Sequence, residues 1–253
     1  MESTLLAGDV AERAAKRKQR PGQDLLLQGS DEHAHTLLRH SPAASTLQRR
    51  FIVRDLVVVE YVSLDGVIQA PGYDGEDSDG GFAHGGWTGP FMAEHRRYNS
   101  RLYPTASGFL LGRRTYEIFA ATWPTVTDPT DRIAHALNTR PKYVAATTPF
   151  EPAWQGTTVL TGEVAEQVAK LKQQPDHGGP LLLVGSATLA QTLAAHHLVD
   201  EYQLMVHPVV LGGGKRLFDD RDGHRMGLRL VDSTTTEGGL LLLTYHTRTG
   251  RSA

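Results

Sequence analysis

The hydrophobic positions of the chain alternate between short β-branched runs and stretches with a helical period. Residues 56–62 read LVVVEYV, a pattern typical of a buried strand. Similar apolar runs follow at 109–111, 143–146, 158–160 and 181–184. The segments between them carry apolar side chains at the spacing of amphipathic helices. This alternation predicts an α/β domain with a mostly parallel sheet.

The C-terminal part of the chain predicts antiparallel pairing. Residues 202–211 indicate a strand pair interrupted by Pro208, and residues 228–235 and 240–247 flank a Glu-Gly-Gly hairpin signal. We therefore expect one domain over residues 54–248, in which an antiparallel C-terminal hairpin lies beside the parallel strands.

An internal repeat occupies the start of the chain. Residues 4–21 match residues 158–175 at 11 of 18 positions, and residues 25–40 match residues 181–196 at 9 of 16 positions. Unrelated segments of average composition would share only two or three residues over this length. The first 40 residues are therefore interpreted as a partial second copy of an internal segment.

The upstream copy has lost part of its apolar helix face. Val164, Val168 and Leu171 form a helical stripe in the downstream copy, whereas the position of Leu171 is taken by Arg17 upstream. We predict that residues 1–50 are a decayed duplicate, mostly disordered or loosely packed. The alternative is that the copy competes for the sheet position of its twin and inactivates the protein, in which case deleting it would restore activity.

Composition removes several classes of protein. The chain has 253 residues, a formal net charge of −2 and no cysteine. Disulfides, thiolate nucleophiles, zinc ribbons and iron–sulfur clusters are thereby excluded. No stretch approaches the roughly 18 apolar residues of a membrane span, and the charged start of the chain does not resemble a secretory signal. We expect a cytoplasmic protein that binds a small molecule, not nucleic acid or a membrane.

A glycine turn follows the predicted strand at 181–184. Gly185, Ser186, Ala187 and Thr188 lead into a helix, whose free N–H groups and macrodipole favour a phosphate. In open α/β sheets, ligands bind beyond such carboxyl ends of strands. The alternative is that Ser186 is an ordinary N-cap.

Two other strand ends carry groups that suit a phosphate. Arg113 and Arg114 follow Gly112, where their guanidinium groups could bind an anion bidentately or form a solvated basic pair. Thr147 and Thr148 could add hydroxyl groups to the same pocket or cap a strand. The spacings of calcium loops, Walker A loops, Rossmann glycines, zinc-protease histidines and serine elbows are absent, so we predict no metal site.

Five motifs in this order resemble the dihydrofolate reductase-like superfamily. They are Ser63-Leu64-Asp65-Gly66, Gly112-Arg113-Arg114-Thr115-Tyr116, Val184-Gly185-Ser186-Ala187-Thr188-Leu189, Leu198-Val199-Asp200-Glu201 and His207-Pro208-Val209-Val210-Leu211-Gly212-Gly213-Gly214-Lys215. The chain is most similar to the branch that contains the C-terminal reductase domain of the bifunctional riboflavin-biosynthesis deaminase/reductase. The resemblance covers about residues 54–248.

This resemblance implies a three-layer α/β/α fold with an eight-stranded sheet, NADPH as hydride donor, and a homodimer. It places Gly112, Arg113, Arg114 and Thr115 beside the adenosine 2′-phosphate and the pyrophosphate, and Thr147 near the adenosine ribose phosphate. It assigns Gly185, Ser186, Ala187, Thr188 and Leu189 to the pyrophosphate turn.

Two departures from the family pattern concern the substrate. Dihydrofolate reductases carry a carboxylate after a Trp-x-x-Pro motif, but Met92 holds that position here and Glu94 lies two residues further on. A thioether neither donates nor holds a proton, so folate reduction is disfavoured. The riboflavin reductases usually carry an acidic residue where this chain has Val184.

The sequence therefore predicts an NADPH-dependent reductase of a small heterocyclic or carbonyl substrate, similar to 5-amino-6-(5-phosphoribosylamino)uracil reductase. Asp65, at the end of the first strand, is the candidate proton source, with an Asp-Gly turn as the alternative. Trp87 and Tyr73 are candidate lid residues over the nicotinamide, although Trp87 could instead anchor its loop. The alternative function is a non-catalytic nucleotide-binding protein that retains only the fold.

Overall fold

The computed structural model describes residues 53–174, 178–218 and 226–248. In this part of the chain, eight strands form one sheet in the spatial order β4-β3-β2-β5-β1-β6-β8-β7. In chain order they are β1 Leu56–Ser63, β2 Gly108–Gly112, β3 Lys142–Ala145, β4 Thr157–Leu160, β5 Leu181–Val184, β6 Glu201–His207, β7 Leu228–Thr235 and β8 Leu241–Thr247. The strands from β4 to β6 pair in parallel, and β8 is antiparallel to both β6 and β7. The predicted sheet with its antiparallel C-terminal hairpin is confirmed.

Within the described residues, five α-helices cover the two faces of this sheet. They are α1 Met92–Leu102, α2 Arg113–Thr122, α3 Arg132–Thr139, α4 Val164–Lys172 and α5 Ala187–Ala195. One core cluster contains buried residues of α4 and α5, and a second cluster on the opposite face contains buried residues of α2 and α3 with partly buried residues of α1. The three-layer α/β/α arrangement is confirmed.

Strand β1 lies in the middle of the sheet because it is apolar on both faces. Leu56 and Val58 belong to one core cluster, and Val57 and Val59 belong to the other. A central parallel strand that is covered on both sides by helices needs such a continuous apolar run. The next residue of β1 after Val59 is the polar Glu60, which lies toward the carboxyl-terminal side of the sheet, where the candidate site is found.

Two details differ from the sequence predictions. Helix α3 was not predicted, although Asp131 caps it by accepting hydrogen bonds from the backbone N–H groups of Ile133 and Ala134. The segment 202–211 is not a strand pair. It contributes only β6, which ends before Pro208 because proline has no N–H group for the ladder.

The downstream copy of the repeat forms β4, α4, β5 and α5. Its predicted stripe is confirmed, since Val168 and Leu171 are buried and Val164 packs against the same cluster. The predictions for residues 1–50 lie outside the described residues. In the described part of the chain, no helix has the length and apolar character needed to cross a membrane.

Candidate active site

A cavity of about 680 Å³ opens at the carboxyl ends of β1, β2 and β5. Its wall includes Gly112 at the end of β2, Val184 at the end of β5, and Val59 and Glu60 of β1. This is the edge of a parallel sheet at which ligands bind in open α/β folds. The volume lies within the range of roughly 300–1,000 Å³ that is usual for ligand pockets.

The helices that follow β2 and β5 both begin on this cavity. Helix α2 starts at Arg113 directly after β2, and α5 starts at Ala187 directly after the turn that follows β5. The residues before these helices, Gly112 and Ser186, make no side-chain capping hydrogen bond. The first-turn N–H groups of both helices therefore lack a capping side chain, and the positive ends of both macrodipoles reach one pocket. Such a pair of helix N-termini suits an anionic ligand.

The two helix starts are packed tightly against each other. A Cβ atom on Gly112 would collide with the Ser186 hydroxyl group, and one on Gly185 would lie 2.9 Å from Oγ1 of Thr115. Gly185 has φ +67°, and Ser186 has the same φ although it carries a side chain. A non-glycine residue in this region costs of order 1–3 kcal/mol, and such strain concentrates at ligand sites. Ser186 is therefore not the ordinary N-cap of the alternative interpretation.

The two arginines at the start of α2 have different partners. Arg113 donates from Nε to Glu117 at 2.8 Å and from Nη1 to Thr148 at 3.2 Å, and its guanidinium group lies 4.7 Å from the ring centre of Phe150. These partners are at the exposed surface. Arg113 lines the cavity while making only such exposed contacts, so an anion can displace them at small cost.

Arg114 is held by two carboxylates of the loop at residues 70–89. Its Nη1 atom lies 2.5 Å from Asp77 and 3.2 Å from Asp79, and Lys215 bridges the same two carboxylates at 2.7 Å each. Arg114 thus fixes the loop against α2 in this structure and does not hold its guanidinium free for a phosphate. Of the two predicted phosphate ligands, Arg113 is the better placed.

Glu60 is a buried carboxylic acid on the cavity wall. The residue is 5% exposed, and Oε1 has no hydrogen-bond partner among the described residues. Burial raises its pKa from 4.5 to about 8. The carboxyl group is therefore protonated at neutral pH and can donate a hydrogen bond into the cavity.

Two histidines form a buried hydrogen bond at the same cavity. His95 lines the cavity, and its Nε2 lies 2.8 Å from Nε2 of His207. Nδ1 of His207 lies 2.9 Å from the carbonyl oxygen of Met205, so His207 donates from Nδ1 and accepts at Nε2. His95 must then donate from Nε2. Burial, with a smaller effect of His207, lowers the pKa of His95 to about 4, which keeps the pair neutral.

An amide and a phenol complete the polar part of the wall. Asn99 donates from Nδ2 to the hydroxyl group of Tyr61 at 2.7 Å, and its Oδ1 is buried without a partner among the described residues. The Tyr61 ring stacks on His95 with 4.1 Å between centres. Buried polar atoms without partners mark a place where a ligand can complete the hydrogen bonding.

The structure does not support the predicted role of Asp65. Its carboxylate accepts hydrogen bonds from the Ser63 hydroxyl group and from the N–H groups of Leu211 and Gly212, and it does not line the cavity. The bond from Ser63, together with these backbone bonds, lowers the pKa of Asp65 to about 2. The side chain is ionised at neutral pH and stabilises a turn, so it has no proton to give.

The lid role of Trp87 is also unsupported. Its indole N–H donates to the carbonyl oxygen of Gln69 at 2.8 Å, and its ring packs against His207 with 5.0 Å between centres. Trp87 does not line the cavity, whereas Tyr73 of the same loop does. The indole therefore anchors the loop, as the alternative interpretation proposed.

The other predicted residues divide into two groups. The cavity wall contains Gly112, Arg113, Arg114, Thr115, Gly185, Ser186, Ala187 and Thr188. Thr147 is exposed and lies off the wall, and Leu189 is buried in the core cluster of α5. Met92 and Val184, the two departures from the family pattern, both line the cavity. Glu94 does not, and its carboxylate lies at the turn between β7 and β8, where a Cβ atom on Gly238 would collide with it.

Glu60, His95 and Asn99 were not predicted as site residues. One signal was present in the sequence, since Glu60 is the only charged residue in the run from 56 to 62. A buried strand carries such a charge only where it is paired, neutral or functional. His95 and Asn99 lie four positions apart on α1 and share a helix face, but nothing in their spacing indicates what that face contacts.

Comparison with known proteins defines the family. The family model of the RibD C-terminal domain matches residues 54–242. The uncharacterized protein YyaP of Bacillus subtilis (strain 168) is 31% identical over 210 residues, which cover 80% of this chain and 97% of YyaP. The uncharacterized protein YwjB of the same strain is 28% identical over 167 residues, which cover 66% of this chain and 84% of YwjB.

A solved structure has the same fold. The "Putative riboflavin biosynthesis protein" from Shewanella sp. PV-4 superposes with a TM-score of 0.52 and 21% sequence identity, over 77% of this chain and 99% of that protein. The chain belongs to the RibD C-terminal domain family, a family of reductase-like proteins. The predicted resemblance to the riboflavin-biosynthesis reductase branch is confirmed.

Proposed function

We propose that this protein is an NADPH-dependent reductase that transfers hydride to a small heterocyclic or carbonyl substrate. The observation that carries the proposal is the meeting of two uncapped helix N-termini on one cavity, at the carboxyl ends of β2 and β5. Membership of a reductase-like family supports it independently.

The residues present suit a phosphorylated dinucleotide. The N–H groups at Ser186, Ala187 and Thr188 would hold the pyrophosphate. Gly112 and Gly185 have no side chain, which lets the two helix starts pack closely enough to face one ligand. Arg113 would bind the phosphate on the adenosine ribose. When bound, the reduced nicotinamide supplies the hydride. The protein has to orient the two partners and exclude water.

The polar wall formed by Glu60, His95 and Asn99 would receive the substrate. The carboxyl group of Glu60 offers a donor and Oδ1 of Asn99 offers only an acceptor. A ring that carries both a carbonyl or imine group and an N–H group offers the matching acceptor and donor. A substrate that resembles the pyrimidine of riboflavin biosynthesis fits this description, although Val184 makes recognition different from that of the riboflavin reductases.

Two measurements test the proposal. NADPH is titrated into the protein while energy transfer from tryptophan to the nicotinamide is followed, and NADPH oxidation is then followed by absorbance with pteridine, pyrimidine and aldehyde acceptors. We expect saturable binding and oxidation with at least one acceptor. Absence of binding at millimolar NADPH would contradict the proposal, and binding without oxidation would favour the non-catalytic alternative.

A matched pair of variants locates the phosphate contact. Arg113→Ala should weaken NADPH binding about ten- to hundredfold, the effect of losing one or more charge-assisted hydrogen bonds. Arg132→Ala removes an exposed arginine at the start of α3 that does not itself line the cavity, and should leave the affinity unchanged. Equal affinities of the two variants would show that Arg113 does not contact the cofactor.

A further inference from the structure

Glu60 lies at a gap in the sheet. Strand β5 ends at Val184, which pairs with Val59 of β1. The chain then turns through Gly185 and Ser186 into α5, so the next residue of β1, Glu60, has no β5 neighbour beside it. Its side chain reaches the cavity at this point although it is 95% buried.

The carboxyl group of Glu60 has no partner that would hold it as an anion. Within the described residues, Oε1 accepts no hydrogen bond, and no lysine, arginine or histidine forms an ion pair with it. An unpaired buried carboxylate is costly, so the group retains its proton. A protonated carboxyl group that faces a ligand cavity is suited to donate that proton.

Other proton donors near the cavity are less suitable. Asp65 is ionised and lies off the wall. His95 is neutral, and its only ring proton is used in the bond to His207. Burial raises the pKa of Tyr61 to about 12, which makes its phenol a weak acid. Glu60 is the strongest acid of the polar wall that still carries an available proton.

We propose that Glu60 is the catalytic acid of this site and protonates the substrate as it receives hydride. The inference rests on the proposed reductase function. When bound, NADPH would supply hydride to the carbon of a C=O or C=N group; the π electron pair would move to the heteroatom, which would take the proton of Glu60. The cofactor would be oxidised, the substrate would gain two electrons, and Glu60 would be left as a carboxylate that regains its proton from water.

Other titratable groups interact with this carboxyl group or line the same cavity, and one of them provides a control. Tyr61 and Tyr103 interact electrostatically with Glu60, and burial raises the pKa of both above their usual value of 10.0, so neither ionises near neutral pH. The cavity wall also contains the basic residues His95, Arg96, Arg113, Arg114 and Lys215, and the acidic residues Glu76, Asp77 and Asp79. Among these wall residues, Glu76 is the other carboxyl group whose pKa is raised, also by burial. Glu76→Gln is therefore the matched control.

The first test measures the proton directly and needs no substrate. Infrared difference spectra between pH 6 and pH 9, recorded on protein with ¹³C-labelled glutamate, report the carbonyl band of a protonated carboxyl group. We expect a band that titrates near pH 8, persists in Glu76→Gln and is lost in Glu60→Gln. If Glu60→Gln retains the band, or if the wild-type protein lacks it at pH 7, the proposal is wrong.

The second test uses NADPH and the acceptor that the wild-type protein reduces. Glu60→Gln should bind NADPH with unchanged affinity while kcat falls by about 10²- to 10⁴-fold, the usual contribution of a general acid. Glu60→Asp should recover part of the rate. The wild-type kcat should decline as the pH rises through about 8, and this decline should vanish in Glu60→Gln.

The outcomes separate the possible failures. A Glu60→Gln variant with the wild-type kcat and pH profile would overturn the acid role while leaving the reductase function intact. Loss of NADPH affinity with an unchanged kcat would make Glu60 a cofactor ligand instead. If the wild-type protein oxidises no NADPH, the reductase function itself fails, and the acid role falls with it whatever the infrared band reports about protonation.

Discussion

The burial of Glu60 predicts how the stability of the protein changes with pH. The native state holds the Glu60 proton up to about pH 8, whereas the unfolded chain loses it near pH 4.5. Between these values the native state binds one more proton than the unfolded state. The free energy of unfolding therefore falls as the pH rises through this window, by up to 1.36 kcal/mol per pH unit.

The size of the effect follows from the two pKa values. The interval from 4.5 to about 8 corresponds to about 5 kcal/mol of native-state stability. About 3.5 kcal/mol of it is lost between pH 5 and pH 8. Glu60→Gln replaces the protonated carboxyl group with a neutral group of the same shape and removes this dependence. The variant should have nearly wild-type stability at pH 5 and exceed it by several kcal/mol at pH 8.

Urea denaturation at pH 5, 6, 7 and 8 measures this difference. All other titrating groups are common to the two proteins, so their contributions cancel in the comparison. Glu166→Gln, which changes an exposed glutamate of α4, is the control and should follow the wild-type protein at every pH. Parallel curves for the wild-type protein and Glu60→Gln would refute the reasoning, because they would mean that Glu60 is ionised in the native state.

Three further substitutions test the geometry of the site. Gly185→Ala places a Cβ atom 2.9 Å from Thr115 Oγ1 and should weaken NADPH binding at least about tenfold, a loss of about 1.4 kcal/mol. The control is Gly162→Ala, because Gly162 also has a positive φ but no neighbour within 4 Å, and this variant should bind NADPH with unchanged affinity. Ser186→Gly relieves the strain at φ +67° and should raise the unfolding free energy by about 1 kcal/mol while NADPH binding, which uses backbone N–H groups, is retained. Asp65→Asn should lower the urea midpoint at pH 7 but leave kcat unchanged, whereas a large loss of kcat would restore Asp65 as the proton source.

The arrangement of the strands and the glycine turns could be predicted because both leave local signals. A β-branched run that ends in Gly-Ser or Gly-Arg predicts a strand followed at once by a helix, and parallel strands bring such junctions to one edge of the sheet. This reasoning placed Gly112 and Gly185 on a common cavity, where the structure also has them. At these two positions, the hydrophobic pattern and the turn residues were sufficient to predict the local structure.

The chemistry at the polar end of the cavity could not be predicted, because it depends on contacts between distant parts of the chain. Asp65 lies just after a strand, a position that is typical of catalytic residues. However, it accepts hydrogen bonds from the N–H groups of Leu211 and Gly212, which are nearly 150 positions away in the sequence. The neutrality of Glu60 follows from its burial without a charged partner among the described residues. Its sequence neighbours, Val59 and Tyr61, contain no information about that environment.

Hydrogen–deuterium exchange with and without NADPH tests the location of the cofactor most directly. Bound NADPH should slow exchange in residues 108–118 and 181–190, which contain the two helix starts, and should leave α4 at Val164–Lys172 unchanged. Saturating NADPH that protects neither helix start, or that protects a different surface, would contradict the assignment of this cavity to a phosphorylated dinucleotide.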